Sequence, residues 1–99
     1  MYELTGFQRD ILYCIAPLDD PTGIEIKQEV TQYIGEEVNH GRLYPNLDEL
    51  ADKNLINKAA KNNRANVYQL TESGVNLIQN RRKWENLKLE HLGLELTEE

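Results

Sequence analysis

Residues that can hydrogen-bond to nucleic-acid bases occur together in the middle of the chain. Arg42 and Asn46 are four residues apart, so on a helix they share one face, and Lys53 continues the same stripe. A guanidinium can donate two hydrogen bonds to guanine, and an asparagine amide can pair in the same two-point way with adenine. The stripe therefore indicates contact with base edges, and its alternative is the solvent face of an ordinary amphipathic helix.

The element that carries this stripe is predicted to be a helix with one apolar face. Three leucines recur at helical spacing: Leu43, Leu47 and Leu50. Asn39 can cap the N-terminus of the helix, and Asn54 ends it. Pro45 has no backbone N–H, which is harmless only within the first turn. We therefore expect the helix to begin near His40 to Arg42.

Two short strands are expected after this helix. Residues 55–59 and 65–70 have strand-like patterns, and a polar turn, residues 61–64, separates them. The basic and amide side chains of this segment suit a loop along a phosphate backbone: Lys58, Lys61, Asn62, Asn63 and Arg64. Any hairpin turn is polar, so the composition of this turn alone has little weight.

The order of a helix followed by a β-ribbon is that of the DNA-contacting half of a winged helix-turn-helix. The helix contains Leu43-Tyr44-Pro45-Asn46-Leu47-Asp48-Glu49-Leu50, and the second strand continues as Tyr68-Gln69-Leu70-Thr71-Glu72-Ser73-Gly74. These motifs resemble those of the PadR-like transcriptional regulators, and the resemblance extends from about Leu4 to Gly74. It implies that residues 1–71 form a winged-helix DNA-binding domain.

The resemblance, together with the residue types, gives a predicted set of DNA contacts. The set is Asn39, His40, Arg42, Tyr44, Asn46, Lys53, Lys58, Lys61, Asn62, Asn63 and Arg64. Tyr44 has two alternatives, a phosphate contact or packing of its ring against the preceding helix. His40 can touch DNA, cap the helix or lie in solvent.

The distribution of charge agrees with this assignment, although the net charge of −6 alone argues against a polyanionic partner. Residues 39–70 carry five basic and three acidic side chains, a balance of +2. Residues 1–38 have a balance of −6 and residues 71–99 one of −2. The only segment with a positive balance is therefore the predicted DNA-contacting segment.

Two further helices are predicted before this segment. Thr5 with Gln8 forms a capping-box pattern for a helix to about Pro17, whose apolar series is Phe7, Ile11, Cys14 and Leu18. Thr22 with Glu25 repeats the pattern before Ile26, Val30 and Tyr33, and this second helix ends near Gly35. The expected fold class is mostly α with a small β-ribbon, a winged helix-turn-helix followed by a C-terminal helix.

The C-terminal helix, in residues 72–99, is predicted to form a dimer interface. Its predicted interface residues are Leu77, Trp84, Leu87, His91 and Leu94. A domain of 99 residues buries only a modest core, so a second subunit is a natural partner for this stripe. The resemblance implies dimerisation through C-terminal helices, and the alternative is that the helix folds back on its own domain.

Several classes of protein are not supported by the sequence. No apolar run approaches the length of a membrane span and no signal segment begins the chain, so we expect a cytoplasmic protein. Cys14 is the single cysteine, which excludes an internal disulfide and a multi-cysteine metal site. No catalytic constellation, metal site or cofactor motif is predicted.

These observations lead to one hypothesis with two alternatives. The hypothesis is a homodimeric, sequence-specific regulator of transcription that binds double-stranded DNA and acts as a repressor by occlusion of the promoter. One alternative is a winged-helix module that binds protein, which the overall acidity would suit. The other is a ligand-responsive sensor in which Trp84 lines an effector site of unknown ligand.

Overall fold

The computed structural model describes residues 3–93 and contains four α-helices and one two-stranded antiparallel sheet. The elements are α1 (Gly6–Ile15), α2 (Gly23–Ile34), α3 (His40–Asp52), β1 (Ile56–Ala60), β2 (Asn66–Leu70) and α4 (Glu72–Leu89). A short 3-10 helix, Glu90–Leu92, follows α4. The predicted fold class is confirmed. Within residues 3–93, none of the helices has the length and apolar character needed to cross a membrane.

Both predicted capping boxes are present. Thr5 Oγ1 accepts from the Gln8 backbone N–H at 3.1 Å, and the Gln8 side-chain oxygen accepts from the Thr5 N–H at 3.3 Å. Thr22 and Glu25 make the same reciprocal pair at the start of α2, at 3.2 and 2.8 Å. These bonds satisfy N–H groups that a helix leaves unpaired at its first turn, and so they fix where α1 and α2 begin.

The start of α3 is confirmed, but its proline lies deeper than expected. The Asn39 side chain accepts from the Arg42 N–H at 2.9 Å, and the helix begins at His40. Pro45 is therefore in the second turn, where its missing N–H leaves the Gly41 carbonyl without its helical donor. Gly41 is exposed, so water can satisfy this carbonyl.

The core lies where the first three helices meet the sheet. Its fully buried members include Ile11, Leu12, Ile15, Ile26, Val30, Leu43, Leu47, Leu50, Leu55, Ile56 and Tyr68. The predicted face of α1 is rotated from the true one, because Phe7 and Cys14 are only half-buried while Leu12 and Ile15 are fully buried. Tyr33, expected on the apolar face of α2, is 68% exposed.

The sheet is held to α2 by a contact that the sequence did not reveal. In the sheet, Ile56 pairs with Leu70. The Tyr68 N–H donates to the Pro21 carbonyl at 2.9 Å, and Thr22 forms an isolated bridge with Val67. The residues just before α2 thus act as a short third strand, which fixes the ribbon beside the helices.

The start of α4 explains the last glycine of the Tyr-x-Leu-Thr-x-x-Gly motif. A Cβ on Gly74 would overlap the Leu55 carbonyl oxygen, so only glycine allows this close approach. Thr71 Oγ1 accepts from the Gly74 N–H at 3.0 Å and donates to the Asn54 carbonyl at 2.7 Å. The motif therefore holds the first turn of α4 against the residues that follow α3.

Candidate nucleic-acid interface

The helix α3 has a buried face, two flanks and an outer face. At about 100° per residue, Leu43, Leu47 and Leu50 point into the core, and all three are fully buried. The outer face, opposite to them, consists of Gly41, Pro45, Asp48 and Asp52, and all four are exposed. The predicted polar stripe with Arg42 and Asn46 is not the outer face. It lies on the flank next to α1.

Arg42 is exposed on this flank and rests on an aromatic ring. Its guanidinium carbon is 3.8 Å from the centre of the Phe7 ring of α1. Such a cation–π contact directs the side chain while its N–H groups stay available, because the ring face uses charge and not hydrogen bonds. Phe7 was predicted on the apolar face of α1, and its half-buried ring lies against the side chain of a predicted DNA contact.

Asn46 is engaged within the chain at both ends of its amide. Its Oδ1 accepts from Gln8 Nε2 at 3.0 Å, and its Nδ2 donates to the Arg42 carbonyl at 2.7 Å. Gln8 is only 2% exposed, so the bond is shielded from water on that side. A two-point contact with adenine would have to use the second lone pair of Oδ1 and the second hydrogen of Nδ2, or replace these internal bonds. The sequence predicted Gln8 only as a cap and missed this link between α1 and α3.

Lys53, at the end of the same flank, forms an ion pair. Its Nζ lies 3.3 Å from Glu49 Oε2. The pKa of Glu49 is lowered, first by a hydrogen bond from the Gln8 side chain and then by Lys53. Part of the positive charge predicted for DNA contact is therefore neutralised by a carboxylate of α3.

Tyr44 lies on the other flank and packs against α2, which is one of its two predicted alternatives. A Cβ on Gly23 would collide with the Tyr44 hydroxyl and ring, so the ring occupies the space that this glycine leaves. The His40 ring stacks on Tyr44 with 4.0 Å between ring centres. Gly23 is thus a positioning residue for α3 that its place in a capping sequence did not indicate.

The turn between β1 and β2 is shaped by Asn62. Its side-chain oxygen accepts from the backbone N–H of Arg64 at 2.8 Å and of Ala65 at 3.0 Å. Asn62 is therefore a structural residue of the turn. Asn63, Lys61 and Arg64 are exposed, and in the part of the chain that is described neither Lys61 nor Arg64 has an ion pair.

Lys58, on β1, faces α3. Its Nζ lies 3.0 Å from Asp48 Oδ1, and this hydrogen bond and charge raise the pKa of Lys58. The pair joins the ribbon to the outer face of α3. A phosphate contact by Lys58 would have to replace or share Asp48.

The predicted dimer interface is only partly a continuous stripe. Trp84 is 48% and Leu87 66% exposed, whereas Leu77 is half-buried against the core of its own chain. The helix α4 ends at Leu89 and is followed by the 3-10 helix, so α4 is shorter than a helix that carries all five predicted interface residues. His91 is exposed in the 3-10 helix, and Leu94 lies outside the described residues.

The cationic groups of Arg81 and Lys88 lie close to the indole ring of the exposed Trp84. The Arg81 guanidinium carbon is 4.5 Å and Lys88 Nζ 5.8 Å from the centre of the indole ring. Arg81 also forms an ion pair with Glu85 at 3.2 Å. Among residues 3–93, no group of three or more histidine, cysteine or acidic side chains could hold a metal ion.

Comparison with known protein families gives one match. The model of the family described as "Transcriptional regulator PadR-like family" matches residues 11–80. H. salinarum RosR is 42% identical in sequence and superimposes with a TM-score of 0.83, over 88% of this chain and 78% of RosR. No curated protein matches the chain.

More distant solved structures share the fold alone. Streptococcus pneumoniae FabT in complex with DNA is 16% identical, with a TM-score of 0.69 over 97% of this chain and 64% of FabT. Lactococcus lactis ZitR, a zinc-responsive member of the MarR family, is 20% identical, with a TM-score of 0.67 over 93% of this chain and 60% of ZitR.

Proposed function

Because the chain belongs to the PadR-like family of transcriptional regulators, we propose that it binds double-stranded DNA sequence-specifically as a homodimer and represses transcription by occluding the promoter. In this proposal α3 enters the major groove, and the turn between β1 and β2 lies along the phosphate backbone. The complex of FabT with DNA, which has the same fold, supports the choice of partner.

The observation that carries the proposal is the arrangement of exposed cations around α3. Arg42 is held on one flank by Phe7, and Lys61 and Arg64 are exposed on the turn of the ribbon that Lys58 joins to α3. Arg42, Lys61 and Arg64 have no ion pair among the described residues. Cations in these places can bind phosphates or base edges without first breaking an internal bond.

The other predicted DNA-contacting residues fall into groups according to the internal bonds that their side chains make. His40 and Asn63 are exposed and stay in the proposed interface, and Tyr44 reaches it only with the part of its ring that Gly23 does not cover. The side chains of Asn39, Asn46 and Asn62 make hydrogen bonds to backbone groups and so stabilise the helix start, the helix and the turn in which they lie. Lys53 and Lys58 would contribute after exchange of an internal carboxylate for phosphate.

The proposed dimer divides the chain into a DNA-binding part, residues 1–71, and a dimerisation part, residues 72–99. Trp84 and Leu87 expose apolar surface that a monomer would leave in water. A symmetric partner would bury the same residues from both chains. Two copies of α3 would then face two half-sites of a pseudo-palindromic operator.

The test is selection of bound sequences from random duplex DNA at several salt concentrations. We expect a pseudo-palindromic consensus whose affinity falls as salt rises. Recovery of random sequences at every salt concentration would contradict sequence-specific binding and would favour a protein partner. The sign of regulation is then tested by transcription in vitro from a promoter that contains the consensus, where repression predicts less transcript as protein is added.

A further inference from the structure

The outer face of α3, formed by Gly41, Pro45, Asp48 and Asp52, is contacted within the described chain by the Lys58 side chain at Asp48 and is otherwise exposed. Its members are exposed, whereas the flanks are occupied by contacts with α1 and with α2. In a helix that enters the major groove, this is the face nearest to the base edges. In this position the residues of the outer face would lie closer to the base edges than Arg42 and Asn46, which are on the flank.

Gly41 is not required by the fold of the chain. Its φ is not positive, and a Cβ placed there would meet only Asn39 Oδ1, at an ordinary contact distance of 3.4 Å. Glycine within a helix is less favourable than alanine, so the chain gains no stability from it. Together with Pro45, one turn later, Gly41 leaves a stretch of α3 without long side chains. A surface from outside can approach the helix backbone closely there.

Asp48 brings an acceptor to the same face. Its Oδ1 is bonded to Lys58 Nζ at 3.0 Å, and the carboxylate is exposed. An ionised carboxylate has no donor, so it is repelled by phosphates and by the acceptor atoms of guanine and thymine. The donors that the major groove offers are the amino groups of cytosine N4 and adenine N6. An aspartate on this face can therefore accept a hydrogen bond only from an adenine or a cytosine.

We propose that the N-terminal part of the outer face of α3 contacts bases directly: Gly41 and Pro45 allow close approach, and Asp48 accepts a hydrogen bond from an exocyclic amino group. Asp52, the last residue of α3, lies outside this contact. Lys58 moves from Asp48 to a neighbouring phosphate when DNA binds. This proposal rests on the proposed DNA-binding function and assigns a specificity-determining residue to it. Asp48 then selects mainly by rejection, because guanine or thymine at that position of the contacted strand presents only acceptors and leaves a desolvated carboxylate unpaired.

The decisive experiment compares Asp48→Ala with Asp52→Ala in selection from random duplex DNA and in anisotropy titrations. Both changes remove one negative charge from the same helix face, one turn apart. We expect Asp48→Ala to lose the preference for an amino-bearing base at one position of each half-site. Its discrimination there should fall about tenfold, while its affinity for unrelated duplexes rises. Asp52→Ala should keep the wild-type consensus.

The outcomes separate the two proposals. If wild type selects a consensus and Asp48→Ala selects the same one, Asp48 is only the partner of Lys58 and the inference is overturned. If wild type selects no sequence, the proposed function fails, and the inference with it. Asp48→Asn, which keeps the shape of the side chain, should also change the preferred base, because its amide can donate as well as accept.

Gly41→Ala tests the close approach independently. We expect a higher Tm than wild type, because alanine favours the helix, together with at least about tenfold weaker binding of the selected duplex. A higher Tm together with a lower affinity would rule out misfolding as the cause of the weaker binding. Unchanged affinity in the more stable variant would show that no part of the DNA comes close to Gly41, and would overturn this part of the inference.

Discussion

The side-chain amide of Gln8 donates to Asn46 Oδ1 at 3.0 Å and joins the first turn of α1 to the middle of α3. The same Gln8 side chain accepts from the Thr5 N–H, and its nitrogen also lowers the pKa of Glu49. One buried amide thus links the cap of α1 to two residues of the helix proposed to contact DNA.

Asn46→Ala is expected to lower stability and to leave base preference unchanged. The substitution leaves the buried Gln8 amide without its acceptor on Asn46, which costs on the order of 1–3 kcal/mol in urea unfolding. A double-mutant cycle with Gln8→Ala should give a coupling energy of at least about 0.5 kcal/mol. A changed preference at one position of the half-site would instead make Asn46 a base contact.

Arg42→Ala is expected to weaken binding of the selected duplex by about 1–3 kcal/mol and to relax preference at one position. Arg42→Lys is the matched control, because it keeps the charge but loses the two-point donor geometry. It should lose the same base preference and retain more of the affinity. An equal loss for all sequences in anisotropy titrations would show that Arg42 binds phosphate.

Lys61→Ala is expected to weaken binding of all duplexes alike. Loss of one phosphate contact should reduce the slope of log K against log salt by about 0.9. Lys83→Ala changes the net charge by the same amount on α4, outside the proposed interface, and should leave the slope unchanged. If both variants keep the wild-type dependence of log K on log salt, the turn between β1 and β2 does not contact the phosphate backbone of the DNA. Arg64→Ala should behave like Lys61→Ala.

Trp84→Ala is expected to shift the protein from dimer toward monomer at micromolar concentration. The lost anchor should cost about 3–5 kcal/mol, by analogy with truncation of a large buried side chain. DNA affinity should fall with it, because each monomer would hold one half-site. Sedimentation decides the matter: a monomeric wild type, or a variant that stays fully dimeric, would remove Trp84 from the dimer interface.

Cys14 is expected to react slowly with iodoacetamide in the folded protein. Burial and, to a lesser extent, the nearby carboxylates of Glu29 and Asp10 together raise the pKa of its thiol from 9.0 to about 11. Only the thiolate reacts, so the rate at pH 8 should be at least about tenfold lower than in urea and should rise toward pH 11. Equal rates in folded and unfolded protein would contradict the raised pKa.

The same raised pKa predicts how stability depends on pH. The unfolded chain releases the thiol proton near pH 9 and the folded chain only near pH 11. Between these values the unfolded state binds fewer protons, so the contribution of Cys14 to stability falls as pH rises. Below pH 9 this contribution is constant.

Local patterns were enough to predict the helices and the ribbon. The Thr5 and Thr22 capping boxes act within four residues, and the leucines of α3 follow a simple period. The end of α4 was not predictable in this way. Leu94 continues the apolar spacing in the sequence, but the helix ends at Leu89, and no strong stop signal precedes Gly93.

The candidate site was predictable in its position but not in its contacts. Residue types indicated that Arg42 and Asn46 can bond to bases, and nothing local indicated that Gln8, 38 residues earlier, occupies Asn46. Likewise, Asp48 and Lys58 are each ordinary surface residues until the fold places them 3.0 Å apart. Tertiary partners of this kind have no signal in a single sequence.

The most direct test of the central claim is an anisotropy titration of wild type with the selected duplex and with a scrambled duplex of equal length, at one salt concentration. Sequence-specific binding predicts that the selected duplex binds at least about 10³-fold more tightly, with two protomers per duplex. Equal affinities for the two duplexes, or no binding of either, would contradict the account.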